Sequence, residues 1–504
     1  MSRRRSFLAR RRPFVIGAGA ALAAGALAVP AVNAVPVPQT ASTPSAERLH
    51  DDFNGDGFAD LAIGAPGTTE SGLKNAGAVS VLYGAAGGLS TARRQVLTWP
   101  GHGSGDTPEY GYGSGLRSAD LDGDGYADLL SSVAVSMMDV GSGYAVVVNW
   151  GGPKGLSAAA TSLAWSPGAE WQGQFAVGDV DGDKHPDLVT AGADQWLSED
   201  PDAPVAEDGT VRHGPFTRGG GNAGKDHFTV DPGKYLFNPV MAAGDVTGDG
   251  VDDLVVSAGD TGARTTSLLV GGRDGFTGKG LLHDAQGRAV GGEDIVIGDL
   301  DKDGYGDIVV GRSAPGGAGD AGAATKGGGL SVVHGGPAGV SATRKPVWIS
   351  QDTPGVPGTD EKGDGMGSGL SVGDTDGDGY LDVATGLPGE DLGTTVDAGG
   401  VLVLRGGASG LTGTGAKSFT QSTSGVPGTA EKLDRFGAET ALVDGDGDKR
   451  DGLIVGDPAE NAGTGAVWTF SARSGGITAS GSVSFGGATL GLPGSAGFGQ
   501  ALGD

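Results

Sequence analysis

The chain of 504 residues contains no cysteine. Disulfides and thiolate metal sites are therefore excluded, and stability must come from a packed core, from ring closure or from ions held by oxygen. Aromatic residues make up only 6% of the chain, and its seven histidines show no H-x-x-x-H spacing of the kind that chelates zinc. Positive charge is also scarce: 34 Lys and Arg stand against 61 Asp and Glu, for a net charge of −27. Such a surface turns away nucleic acid and anionic lipid and attracts cations.

Long apolar runs are missing except near the start. Six arginines (Arg3, Arg4, Arg5, Arg10, Arg11 and Arg12) precede an apolar stretch from Phe14 to Val29. This stretch is shorter than the ~20 residues that span a bilayer. Small residues follow, ending in Val32-Asn33-Ala34, the pattern of a cleavable export signal over residues 1–34. Arg4-Arg5-Ser6-Phe7-Leu8 and Arg11-Arg12-Pro13-Phe14-Val15 resemble the twin-arginine signal, which exports folded proteins. The expectation is a secreted protein, released or loosely associated with the wall, with no integral membrane segment once the signal is removed. Cleavage would move the net charge from −27 to −33, because all six arginines leave and no acid does. Residues 35–49 read as a Pro- and Thr-rich linker.

Glycine is what the chain has in excess, at 102 residues, about three times the usual ~7% share. The glycines follow no three-residue period. They punctuate short runs such as Leu61-Ala62-Ile63-Gly64 and Gly400-Val401-Leu402-Val403-Leu404, which is a strand signature. No amphipathic helix of convincing length appears, so the fold class is all-β.

A nine-residue pattern, D-x-D-x-D-G-x-x-D, recurs seven times. It starts at Asp52, Asp120, Asp179, Asp245, Asp299, Asp374 and Asp444, with a mean spacing of about 65 residues. That length accommodates four short strands with their turns, the content of one propeller blade. Tyr112, Trp171, Phe237, Met366 and Phe436 each lie eight residues before a loop. The first loop has no such aromatic-Gly segment before it, and the chain finishes with Phe498-Gly499-Gln500-Ala501-Leu502, which is that segment without a loop. Joined in a ring, the two ends complete one blade. Residues 50–504 are thus expected to form a seven-bladed β-propeller.

The pattern also predicts metal ligands. Carboxylates at positions one, three and five of a tight turn converge on one point, the carbonyl at seven faces inward, and the aspartate at nine closes the cage. The first loop takes Asp52, Asn54, Asp56, Phe58 and Asp60; the second takes Asp120, Asp122, Asp124, Tyr126 and Asp128. The third takes Asp179, Asp181, Asp183, His185 and Asp187; the fourth takes Asp245, Thr247, Asp249, Val251 and Asp253. The fifth takes Asp299, Asp301, Asp303, Tyr305 and Asp307; the sixth takes Asp374, Asp376, Asp378, Tyr380 and Asp382. The seventh retains Asp444, Asp446 and Asp448, but Gly452 stands where the last carboxylate belongs. Two carboxylates ~5 Å apart repel by about 3 kcal/mol at an effective dielectric near 20, so each loop calls for a cation. All-oxygen donors point to calcium, several ions in all.

Phe436-Gly437, the acidic loops and Gly64-Ala65-Pro66 resemble the FG-GAP repeat of integrin α-subunits and their bacterial relatives. The segments from Thr353 to Gly367 and from Thr423 to Gly437 resemble the bacterial members. The resemblance implies a calcium-loaded propeller that acts as a non-enzymatic ligand-binding or cell-adhesion module, with an extracellular protein or glycan as partner. Copies four and seven depart from the family pattern at Thr247 and Gly452. Some relatives are joined to hydrolases, so an extracellular hydrolase or lyase is the alternative.

Three further features bear on function. Gly369-Leu370-Ser371-Val372-Gly373 matches G-x-S-x-G formally but runs straight into the sixth loop. Lys362-Gly363-Asp364 sits inside a repeated segment and reads as structural. The stretch Ala193–Leu236 breaks the repeat and gathers Trp196, Arg212, His213, Arg218, Lys225, His227 and Tyr235. It reads either as a ligand-binding insertion or as a solvated one.

Overall fold

The computed structural model describes residues 51–504, apart from 71, 99–106, 138–140, 168–173, 192–208, 231–235, 237, 260–263, 316–320, 323–324, 493–495 and 504. The signal and linker expectations, and Trp171, Trp196, Tyr235 and Phe237, lie outside the described residues.

Glycine punctuation and short apolar runs give seven antiparallel sheets, each a blade, six of them four-stranded and the second five-stranded. Blade one pairs Arg94–Thr98, Ala78–Leu82 and Leu61–Ala65 in that order and ends on Leu502–Gly503 from the far end of the chain. Blade four is typical of the rest: Val240–Gly244, Asp253–Ala258, Thr265–Val270 and Thr277–Leu281 follow one another from inside to outside. The innermost strands of successive blades touch in cyclic order, which closes the ring. No helix among the described residues is long and apolar enough to cross a membrane.

Strand composition follows depth. Second strands such as Asp307–Arg312 and Asp382–Leu387 are buried at every position, because a blade is covered on both faces by its neighbours. Outer strands face solvent, and Thr277–Leu281 is exposed throughout. Inner strands end in glycine where blades converge. A Cβ on Gly244 would lie 2.9 Å from the Ile297 side chain of the next blade, and one on Gly298 would lie 2.9 Å from Leu381.

The FG and GAP elements meet between blades. The carbonyl oxygen of Gly437 would sit 1.7 Å from a Cβ on Gly386, and that of Gly113 would sit 2.1 Å from one on Gly64. The aromatic or Met before the FG-type glycine bridges back to the preceding blade: Tyr112 to Gly77, Met366 to Gly328, Phe436 to Gly399 and Phe498 to Gly465. All four are fully buried.

The stretch expected to be an insertion is partly blade. Gly209–His213 and Gly224–Phe228 are the third and fourth strands of blade three. Their polar composition hid them, since Thr210 and Arg212 are buried alongside Val211.

Ring closure is as the two chain ends predicted. Leu502 pairs with Ile63 and Gly503 with Ala62, and Phe498 and Leu502 pack with Leu61, Ile63, Ile454 and Val467 across the seam between blades seven and one. Phe498→Ala should cost about 3–5 kcal/mol, read as a lower thermal unfolding midpoint with the same β-sheet spectrum. An unchanged midpoint would mean that this segment does not close the ring.

Candidate metal centres

Each acidic loop links the first and second strands of its blade, so six carry the chain outward from an inner strand and the first leads into Leu61–Ala65. The position-one aspartate organises the turn. Asp52 accepts the N–H groups of Gly55, Asp56 and Gly57 at 2.6, 3.1 and 2.8 Å. Asp374 holds Gly377 and Gly379 in the same way at 2.8 and 2.7 Å. Glycine suits the sixth position because φ there is positive: 86° at Gly57 and 84° at Gly125. The position-seven N–H then returns to the position-five carboxylate, from Phe58 to Asp56, Tyr126 to Asp124, His185 to Asp183, Val251 to Asp249, Tyr305 to Asp303 and Tyr380 to Asp378.

Position nine does something the sequence did not reveal. Asp60, Asp128, Asp187, Asp253 and Asp307 are wholly buried, and Asp382 nearly so. One oxygen of Asp60 accepts Phe53 N–H at 2.9 Å inside the loop, and the other accepts Gly84 N–H at 2.8 Å at the end of the blade's third strand. The same outward reach runs from Asp128 to Gly151, Asp187 to Gly214, Asp253 to Gly271, Asp307 to Gly335 and Asp382 to Gly406. These partners must be glycine: a Cβ on Gly84, Gly151, Gly271, Gly335 or Gly406 would lie 2.0–2.3 Å from the carbonyl oxygen of loop position eight. Six glycines trailing the third strands are the signal that the sequence reading missed.

The residue after that glycine carries the contact to the neighbouring blade. Gly152 N–H bonds Phe53 O at 3.1 Å, Gly272 bonds Val180 O at 2.9 Å, Gly336 bonds Val246 O at 3.2 Å and Gly407 bonds Leu300 O at 3.2 Å. Phe216, one residue further along, bonds Leu121 O at 2.9 Å, and Ala85 bonds Gly445 O at 3.0 Å to join blade one to blade seven. In each case the acceptor is position two of the preceding loop. Blade seven has Gly452 at position nine and Ala472-Arg473 where each of the others has its glycine and the residue after it. Its loop has lost the aspartate and its partner together.

The donor set fits a hard cation. Asp120, Asp122 and Asp128 each offer an oxygen within 4.8 Å of the others, as do Asp179, Asp181 and Asp183, and Asp299, Asp301 and Asp303. That spread suits ligands ~2.3–2.6 Å from one ion. Buried Asp120 Oδ1 and Asp307 Oδ2 have no hydrogen-bond partner, and neither has the Thr247 hydroxyl of the fourth loop.

Basic side chains that the sequence had not linked to loops two, three, five and six also reach them. Arg218 meets Asp122 and Asp124 at 2.8 and 2.6 Å. Arg405 meets Asp382 at 2.7 Å and also pairs with Asp376, and Arg344 pairs with Asp301. His213 lies 3.1 Å from Asp181, and His334 lies 3.0 Å from Asp307. Asp226 also approaches His213, at 3.0 Å, and the neighbouring carboxylates raise its pKa although burial opposes them. At loop four, Lys184 donates to the Gly250 carbonyl at 2.6 Å, and no carboxylate of loops one and four forms an ion pair among the described residues.

Other sequence candidates resolve as structure. Ser371 lies on the inner strand Ser368–Gly373 and bonds the Thr440 hydroxyl at 2.8 Å, without the strand-turn-helix elbow. Asp364 of the Lys-Gly-Asp triplet is buried and accepts Glu361 N–H at 2.7 Å.

Burial raises four of the position-nine acids against the opposing pull of their backbone donors: Asp60 to about 8, Asp128 to about 7, and Asp187 and Asp382 to about 6. A carboxyl whose pKa is raised by folding stabilises the fold when protonated. That contribution is complete below about pH 4 and is lost as pH rises through the folded values, between about 6 and 8. Metal-free protein should therefore melt lower at pH 8.5 than at pH 5.5, and calcium should restore the midpoint most at pH 8.5. A metal-free midpoint that climbs over this range would contradict the assignment.

A family model described as the FG-GAP repeat matches residues 50–82 and 366–404. Among solved structures, the rhamnogalacturonan lyase YesW aligns at 13% identity and a TM-score of 0.34, covering 79% of this chain and 80% of that one. AofleA from Arthrobotrys oligospora aligns at 12% identity and 0.36, covering 74% and 88%. The GH43_1 enzyme from Xanthomonas citri aligns at 15% identity and 0.27, covering 50% and 82%. Scores at this level carry nothing about ligand or activity. The chain carries FG-GAP repeats and folds as a seven-bladed β-propeller, consistent with an integrin α-like propeller.

Proposed function

We propose that the chain is an exported, calcium-stabilised propeller that binds an extracellular protein or glycan without transforming it. The observation that carries this reading is the repetition of one oxygen-lined loop at the same place in successive blades, tied by its position-nine aspartate to the seams of the ring. Calcium in these loops supplies positive charge and no redox chemistry. The chain's own residues do the rest: they fix the loop backbone, clamp each blade to its neighbour and present an acidic rim.

The catalytic alternative started from Arg212 and His213. Arg212 is buried beside Thr190 at 3.2 Å, and His213 is engaged by Asp181, Asp187 and Asp226. Both residues are thereby occupied in blade three and its loop, which favours binding over turnover.

The test is a panel of glycans, matrix proteins and cell-envelope components presented to the purified chain in millimolar calcium and again in chelator. Binding that is present with calcium and lost without it is the expected result. Turnover of a polysaccharide or ester by the same preparation, abolished in His213→Ala, would replace this reading with the catalytic one.

A further inference from the structure

A second acidic cluster lies at the other end of blade seven. The inner strand Glu439–Val443 has loop seven after it and Asp434 before it, so the cluster and the loops occupy opposite ends of the strand. Asp434 is 4% exposed, Asp457 0% and Glu460 9%. No basic side chain among the described residues forms an ion pair with any of the three.

The hydrogen bonds here position oxygens without using all of them. Asp457 Oδ1 accepts the N–H groups of Ala459 and Glu460 at 3.1 and 2.8 Å, and Asp434 Oδ2 accepts Glu431 N–H at 2.6 Å. Gln421 Nε2 donates to Glu460 Oε2 at 3.0 Å, and Asn461 Nδ2 donates to Glu460 Oε1 at 3.1 Å. Asp457 Oδ2 and Gln421 Oε1 are left buried with no partner. An unpaired buried carboxylate oxygen is costly unless a cation or proton meets it. Burial, with Glu460 and Asp434 nearby, raises Asp457 to about 8.

The arrangement occurs twice. In the preceding repeat, Gln351 Nε2 donates to Glu390 at 3.1 Å, Asp364 accepts Glu361 N–H at 2.7 Å, and Gln351 Oε1 is again buried and unpartnered. There Leu387 replaces Asp457, and Asp360 lies near Asp364 with its oxygens accepting the N–H groups of Lys326 and Gly327 at 3.0 and 2.6 Å. A cleft of about 430 Å³, bordered by Gly428, Glu460, Thr464 and Trp468, reaches the blade-seven cluster at Glu460.

We propose that Gln421, Asp434, Asp457 and Glu460 form a binding site for a hard divalent cation at the junction of blades six and seven, separate from the acidic loops. All four offer oxygen, the donor type that calcium takes. The bound ion ties the segment entering blade seven to the end of that blade's second strand, at the end of the inner strand away from loop seven.

The test counts ions. The purified chain, equilibrated with calcium chloride, is weighed by native mass spectrometry beside Asp457→Asn/Glu460→Gln, the loop-six variant Asp374→Ala/Asp376→Ala, and the two combined. The expected result is one ion fewer in the cluster variant, a separate loss in the loop variant, and additive loss in the combination. An ion lost from the cluster variant but not from the loop variant would sink the loop assignment while sustaining this one. Equal counts in parent and cluster variant would overturn the proposal, leaving the acids to share protons. Should the double substitution fail to fold, Glu460→Gln alone must weaken one calcium step at least tenfold, and unchanged titration would likewise overturn the proposal.

Discussion

Everything else in the ring depends on a buried aspartate that touches backbone on two sides. At position nine of five loops, one carboxylate holds the N–H of its own turn and the N–H of a glycine that follows the third strand, and Asp307 of the fifth loop makes the outward bond alone. The chain just beyond that glycine then bonds the preceding loop. Turn, blade and neighbouring blade are thus tied through one side chain. A hydrogen bond to a charged group contributes about 1.5–3 kcal/mol, and here it recurs around the circle. The cost is a buried negative charge at each seam, raised well above the ordinary carboxylate range in Asp60 and Asp128. A cation in the loop relieves that cost, which is why the acids and the architecture belong together.

The same logic explains why the repeat signature consists of small residues as much as acids. Gly386 and Gly437, or Gly64 and Gly113, meet backbone to backbone where no Cβ fits. The aromatic or Met preceding the FG-type glycine buries itself in the seam, as Phe436 does beside Trp468 with ring centroids 5.1 Å apart. Blade seven shows what happens when one part goes: Gly452 replaces the aspartate, and the glycine that would answer it is absent as well.

Much of this was legible in the sequence because repetition is easy to read. Loop register gave the blade count, and the unmatched Phe498-Gly499 gave the closing strand. The strands of blade three were harder to see. Gly209–His213 is polar, and only tertiary burial beside Thr190 and Phe228 shows it to be core. Arg218, Arg344 and Arg405 reach the loops from later turns of the chain, contacts that spacing alone does not encode. Position nine was read as a ligand closing a cage. Its part in holding the seam depends on glycines 18–28 residues further on, which look like any other turn glycine.

Hydrogen–deuterium exchange of Asp382→Ala beside the parent, both in calcium, tests the seam account most directly. Gly406 loses its acceptor, and Gly407 with its bond to Leu300 should loosen with it. The account predicts exchange roughly tenfold faster or more at these two amides, with the equivalent pairs Gly151–Gly152 and Gly335–Gly336 still protected. Unchanged protection at Gly406 and Gly407 would contradict it and leave the aspartate as a metal ligand alone.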